Sequence, residues 1–325
     1  MKRFIILVFL LYCTLLYSND AYIRTAGGAI QPFSESKSEN ISMTSEIITI
    51  TLLEDYYHID VDFNFYNNGI TETIKVGFPE WRDLQPTDDK FSNFYTTVNG
   101  LPVDFIREKP VKPDILGDNI IVTQWYTREI IFLEKQVTKT SVSYDAPYGV
   151  YGIEESVDYL FGTANSWNGS IGTFTVNVIN NSDYWFEYIK IGALKDYEVH
   201  ITEFGYTVTL ENVLPQNDSC IFIVVNRVPY VLVSLRRINL ERNWFLNKQV
   251  INKDDIKLYT KQQLRILRNL IFAGHGHIFD SPDLNEWLSK YADDWYKPLK
   301  KVDISELSEI EIENLKIIQN EEKKR

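Results

Sequence analysis

Between residues 45 and 235 apolar and polar positions alternate with a period of two. In residues 56–66 (YYHIDVDFNFY), Ile59, Val61, Phe63 and Phe65 fall on one face, and His58, Asp60, Asp62 and Asn64 on the other. That is the pattern of a strand with one face in a core. Residues 45–53 alternate in the same way, and Glu54-Asp55 between the two runs predicts a tight turn. Residues 73–78 predict a third strand, ended by Pro79. Residues 94–98 and 101–106 flank Asn99-Gly100, a pair suited to the positive φ angles of a type I′ hairpin turn. Further strands are expected at 120–125, 128–133, 138–144, 172–179, 186–194, 197–201, 206–210 and 220–225. With no helix-length segment of 3.6 periodicity among them, the pattern favours an antiparallel β-sandwich over a parallel α/β sheet.

After residue 236 the period changes. Thr260 followed by Gln263 reads as a capping box, and Leu264, Leu267 and Ile271 then fall on one helical stripe. Gly274 is placed to end this helix in a left-handed conformation. Ser281-Pro282-Asp283 reads as the start of a second helix, with Leu284, Trp287, Leu288 and Tyr291 on its apolar side. Ser308 and Glu311 form another capping box, opening a third helix with Ile310, Asn314, Ile317 and Ile318 along one side. The expected architecture is mainly β with a small α domain: an antiparallel β-sandwich body at 19–235, a linker at 236–256 and a three-helix C-terminal domain at 257–325.

The first residues change the expected compartment. Lys2-Arg3, an apolar run from Phe4 to Tyr17 and the polar break after Ser18 form a signal peptide spanning 1–18. The run is shorter than the roughly 20 residues a membrane-spanning helix needs, and no later segment is apolar enough to cross. The expected location is therefore periplasmic or extracellular, at the cell surface. Lipidation at Cys13 is the alternative, disfavoured by the bulky Tyr12 before it. Removing Lys2 and Arg3 leaves 31 basic against 45 acidic residues, a net charge of −14. So acidic a chain lacks the clustered cations that nucleic acid or an anionic membrane surface requires. Cys220 is then the one cysteine left, so no internal disulfide is expected, and it reads as buried and inert.

Phe272-Ala273-Gly274-His275-Gly276 stands at the centre of a further pattern, preceded by Leu264-Arg265-Ile266 and Arg268-Asn269. Phe279, Trp295-Tyr296, Pro298, Leu307 and the Glu311, Asn314, Ile318 pattern follow it. With these residues, 257–322 resembles the YARHG domain. One departure is clear: Gly274 stands where the family has arginine. The resemblance implies an extracellular module with no established reaction. Asn19-Asp20, Gly27-Gly28, Tyr159-Leu160, Gly162-Thr163 and residues 167–172 are similar to a second family of exported bacterial proteins, a domain of unknown function.

Candidate chemistry concentrates in residues 264–298. His275-Gly276-His277 with Asp280 and Asp283 could hold a metal. A histidine closing a helix against its terminal carbonyls accounts for the same residues more simply, so neither a metal nor a cofactor is expected. Arg268 could clamp a carboxylate of a ligand; internal pairing with Asp280, Glu286 or a carbonyl is the alternative. Trp287, Tyr291, Trp295 and Tyr296 could form a platform for sugar rings, although aromatics at helical spacing usually build a core. The candidate binding residues are Arg268, Asn269, His275, Trp295 and Tyr296. No nucleophile elbow, P-loop or dinucleotide fingerprint is present, and Asp88-Asp89, Glu154-Glu155 and Asp293-Asp294 read as solvated acidic pairs. The expected function is a non-enzymatic binding or structural module of the cell envelope, with an envelope protein or a cell-wall polymer as partner. The alternative is a metal-dependent or carboxylate-based hydrolase of wall or surface polymers.

Overall fold

The computed structural model describes residues 25–33, 39–82, 90–110, 114–116, 120–151, 154–228, 245–292 and 295–325. The signal peptide with Cys13, the first part of the expected linker, and the pairs Asp88-Asp89 and Asp293-Asp294 lie outside them. From the N-terminal side come β1 (Thr25–Gly28), β2 (Gln31–Pro32), β3 (Ile41–Leu52), β4 (Tyr57–Asn67), β5 (Glu72–Arg82), β6 (Ser92–Val98) and β7 (Leu101–Pro102). Next are β8 (Ile106–Glu108), β9 (Asp114–Leu116), β10 (Ile120–Phe132), β11 (Val137–Ala146), β12 (Gly149–Tyr151) and β13 (Glu154–Leu160). A 3₁₀ turn at Gly162–Ser166 leads to β14 (Ile171–Asn180), β15 (Trp185–Ile191), β16 (His200–Ile201), β17 (Gly205–Val213) and β18 (Cys220–Asn226).

Two sheets result. One runs β15-β18-β13-β1-β5-β10-β8, with β2, β9 and β12 paired at its margins; the other runs β16-β17-β14-β3-β4-β11-β6-β7. The predicted alternation is visible in β4, where Tyr57, Ile59, Val61, Phe63 and Phe65 are buried while Asp60 and Asp62 are exposed. These side chains meet Phe78, Phe132 and Tyr159 of the other sheet in one continuous core. Each fully buried Phe or Val contributes about 1.5–3 kcal/mol.

The sandwich is not wholly antiparallel, as the alternation had led us to expect. β1 pairs with β13 in parallel, and so does β3 with β14. The reason is a division into two halves. Strands β1–β11 supply one side of both sheets and β12–β18 the other, and in each sheet a single parallel pair joins the halves. Three further expectations change in detail. Pro79 does not end its strand, because it sits one residue beyond Gly27↔Glu80, the last pair with β1, where the ladder on that side has closed. Residues 120–132 form one 13-residue strand where two were expected. The hairpin at Asn99 (φ 50°) and Gly100 (φ 80°) has the expected turn, but its second arm is only two residues long. The chain then crosses to the other sheet as β8.

The C-terminal part holds four helices among the described residues, where the periodicity predicts three: α1 (Phe245–Lys248), α2 (Lys261–Ala273), α3 (Pro282–Tyr291) and α4 (Glu309–Glu322). The extra helix is a single turn in the expected linker, too short for any period to reveal. Leu246, Ile251 and Ile256 from this segment are buried in the helical core. Asn314 holds the segment there. Completely buried, it donates through Nδ2 to the carbonyls of Leu246 and Gln249, each at 2.8 Å, and accepts from the Ile251 amide at 2.8 Å.

Both predicted capping boxes form, Thr260 with Gln263 and Ser308 with Glu311. Ser281 occupies the N-cap of α3, but its hydroxyl meets Asp283 and Arg265 rather than the helix amides. Gly274 stays right-handed at φ −57°; the left-handed residue is Gly276, at φ +75°. At Gly276 a Cβ would lie 2.6 Å from the Lys297 carbonyl, so the backbone approach itself requires glycine.

Candidate functional site: a cleft between the body and the helices

The five sequence-predicted binding residues are occupied with one another and with the helical frame. Arg268 Nε donates to Glu322 at 3.0 Å, a partner on α4 rather than Asp280 or Glu286. Asn269 Nδ2 donates to the Arg265 carbonyl one turn back, at 2.8 Å. His275 Nε2 meets Glu311 Oε1 at 2.7 Å, while Glu311 Oε2 accepts from the Ser308 amide at 2.7 Å. One carboxylate thus caps α4 and fastens the histidine turn to it. The expected partner of His275 was a helix carbonyl; the side-chain bond arises because the end of α2 packs on the start of α4. Tyr296 OH donates to the His277 carbonyl at 2.8 Å, and the Tyr296 and Trp295 rings pack edge-on and half-buried against the helical core. His277 Nδ1 accepts from the Val302 amide at 2.8 Å. The two histidines therefore look to different partners, and no metal-holding cluster of three or more ligands occurs among the described residues.

A different set of residues surrounds open space. Body and helices meet around Trp185 at the start of β15. Its fully buried ring belongs to the helical core, edge-on to Tyr259 (5.0 Å between centroids) and Trp287 (6.1 Å). Beside it Gln263 Nε2 donates to the Tyr184 carbonyl at 2.7 Å. Lys290 and Tyr291 of α3 reach Asp183 at 2.7 and 3.0 Å. These hydrogen bonds, to Asp183 first and then to Tyr291, raise the Lys290 ammonium above its ordinary pKa.

Next to this junction lies a cleft of about 910 Å³. From the body it is lined by Asn180, Ser182, Trp185 and the β16–β17 turn with Thr202, Glu203 and Phe204. From the helices come Lys261, Gln262, Gln263, Ile266 and Trp287. Phe204 is 60% exposed, so its ring is available to a ligand. Lys261 and Glu203 are exposed on the two sides, and neither has a charged partner among the described residues. The lining combines the exposed Phe204 ring with polar and charged side chains, and its volume is that of a small-molecule site at a junction between structural units.

None of the body residues in the cleft stands in a recognisable motif. The one sequence signal is Phe204 beside Gly205 in a turn, an apolar ring where polar residues are the rule.

The sheet surface also holds an arrangement that no local pattern could predict. His58 Nδ1 meets Asp145 at 2.6 Å and His58 Nε2 meets the Ser143 hydroxyl at 3.2 Å, while Asn93 Nδ2 donates to the other Asp145 oxygen at 2.6 Å. These contacts are those of a serine nucleophile, its base and an orienting acid. But Asp60 also lies 3.2 Å from Nε2, competing for the nitrogen that would take the serine proton. A second carboxylate on that nitrogen, on an open sheet face, disfavours the negative charge an acyl-transfer intermediate develops. The contacts are those of a polar cross-strand cluster.

The chain is thus defined by a two-sheet β body with a small helical unit packed on one end, and a cleft where they meet. Residues 241–323 match the model of the YARHG domain, so the helical unit is a YARHG domain. Over the whole chain the fold is similar to a crystal structure of a candidate nutrient binding protein from Legionella pneumophila. The two are 20% identical, with a TM-score of 0.54, and the match covers 93% of this chain and 100% of that one. An M1 zinc metallopeptidase of Deinococcus radiodurans matches 60% of this chain and 44% of its own, at 11% identity and a TM-score of 0.33. Leukotriene A4 hydrolase of Saccharomyces cerevisiae matches 66% and 39%, at 9% identity and a TM-score of 0.32. Likenesses that distant carry no argument about chemistry. No curated protein is similar to the chain in sequence.

Proposed function

We propose that this protein is an exported, non-enzymatic binding module of the cell envelope, and that the cleft between the β body and the YARHG domain takes its ligand. The observation that carries this reading is the pairing of Phe204 and Lys261 on opposite sides of one cleft, one an exposed ring and the other an unpaired cation. The Phe204 ring supplies stacking surface, and the Gln262 amide and Thr202 hydroxyl supply hydrogen bonds. Lys261 and Glu203 supply one charge of each sign. That combination fits a sugar–peptide fragment of the cell wall, which carries ring faces, many hydroxyls and both charges. The fold shared with a candidate nutrient binding protein is compatible with ligand capture. In this reading residues 1–18 direct export, 19–235 form the body, and the YARHG domain closes one side of the site.

Isothermal calorimetry of the mature chain with soluble peptidoglycan fragments tests this. Saturable heat is expected, and Phe204→Ala weakens binding about tenfold through the loss of roughly 1–1.5 kcal/mol of ring contact. Because Phe204 is exposed, the substitution leaves the core intact. No heat with any fragment, or equal affinity in the variant, would remove the cleft from the account.

A further inference from the structure

We infer that Arg128 holds a small anion, a halide or a free carboxylate, in the interior of the β body, at a site independent of the cleft. Arg128 is on β10 opposite Val76 and is only 4% exposed. Its side chain crosses the sandwich to the other sheet, where Nη2 donates to the Thr140 hydroxyl on β11 at 2.8 Å. Thr140 in turn donates to the Thr97 carbonyl at 2.7 Å, so its oxygen is fixed as an acceptor and offers the guanidinium no charge. The Nε and Nη1 groups are sealed from solvent and have no hydrogen-bond partner among the described residues. No described carboxylate reaches ion-pair distance, and burial alone pulls the guanidinium down to about 9.

Arginine does not give up its proton in a protein, so the charge persists wherever it is buried. An unpaired, desolvated charge with free donors is strongly destabilising, and buried polar groups in folded proteins are almost always satisfied. The buried carboxyls of the same core each accept from a tyrosine, Glu46 from Tyr159 and Glu80 from Tyr126. Arg128 has only a neutral hydroxyl. A monoanion against Nε and Nη1 would supply both the counter-charge and the missing acceptors.

The probe is chloride. The 35Cl resonance should broaden in proportion to added wild-type protein, and excess acetate should narrow it again if a carboxylate is accepted at the same site. Persistence of the broadening in acetate identifies the site as a halide site. Arg128→Met, which keeps an unbranched apolar stem without the guanidinium, should lose the excess broadening. A second measurement needs no variant: the thermal midpoint of the wild-type chain should rise saturably by several degrees with chloride, and not with gluconate, which is too bulky for the interior. Wild-type broadening no greater than that of a folded Arg128→Met chain, or a midpoint equally responsive to gluconate, overturns the proposal and leaves Arg128 to be satisfied by water alone.

Discussion

At the scale of single residues, the groups whose chemistry is most altered are inside the body. Glu46 is fully buried on β3; Tyr159 donates to its Oε1 at 2.8 Å, and Oε2 has no partner among the described residues. Burial raises its pKa from 4.5 to about 8, the Tyr159 bond offsetting only part of the shift. The folded protein therefore keeps a proton that the unfolded chain releases. The stability this represents is fully present below about pH 4.5 and is lost as pH rises through about 8. Glu46→Gln should remove that dependence, making the variant less sensitive to the change from pH 5 to pH 9 by a few kcal/mol, at about 1.4 kcal/mol per pKa unit. Urea unfolding at the two pH values measures it; equal pH sensitivity in the two proteins would show that Glu46 ionises freely. The sequence could not disclose this. The alternation of residues 45–53 places Glu46 on the face of Ile48, Ile50 and Leu52, but its partner, the tyrosine from the opposite sheet, is not encoded there. His275, Arg268 and Tyr296 were legible as important positions, but the partners that define their role, Glu311, Glu322 and the His277 carbonyl, come from packing that spacing does not encode.

At the scale of elements, alternation identified β4, β11 and β14 because one face of each is wet. It failed where both faces are covered. Val76–Trp81 is buried at every position, so no alternation exists to be read and Pro79 looked like a terminator. β13, buried at its last five positions, went unrecognised for the same reason. The helices were legible through their caps, whose residues act locally. The anchor between the two units was not: Trp185 belongs by sequence to a strand and by packing to the helical core. Trp185→Ala should cost about 3–5 kcal/mol, as for other large buried aromatics, and loosen the YARHG domain from the body. Limited proteolysis should then release the helical segment well before the body is cut. Unchanged protection would mean that the contacts of Gln263 and Lys290 with residues 183–184 suffice to hold the two together.

At the scale of the whole molecule, two half-bodies interlock through one parallel pair in each sheet, and a helical unit is fastened to one end by a tryptophan, a buried amide and an ion pair. The net charge of −12 is spread over a chain whose cleft nevertheless presents an unpaired lysine. The cleft was invisible in the sequence because its two walls come from residues about 60 positions apart. The central claim is that both walls contact one ligand. Hydrogen exchange of the mature chain, with and without saturating peptidoglycan fragments, tests it most directly. The account predicts slowed exchange in residues 199–204 and 260–266 together, with the outer faces of the sheets unchanged. Protection confined to one wall, or protection at the His275 turn with none in the cleft, would contradict it.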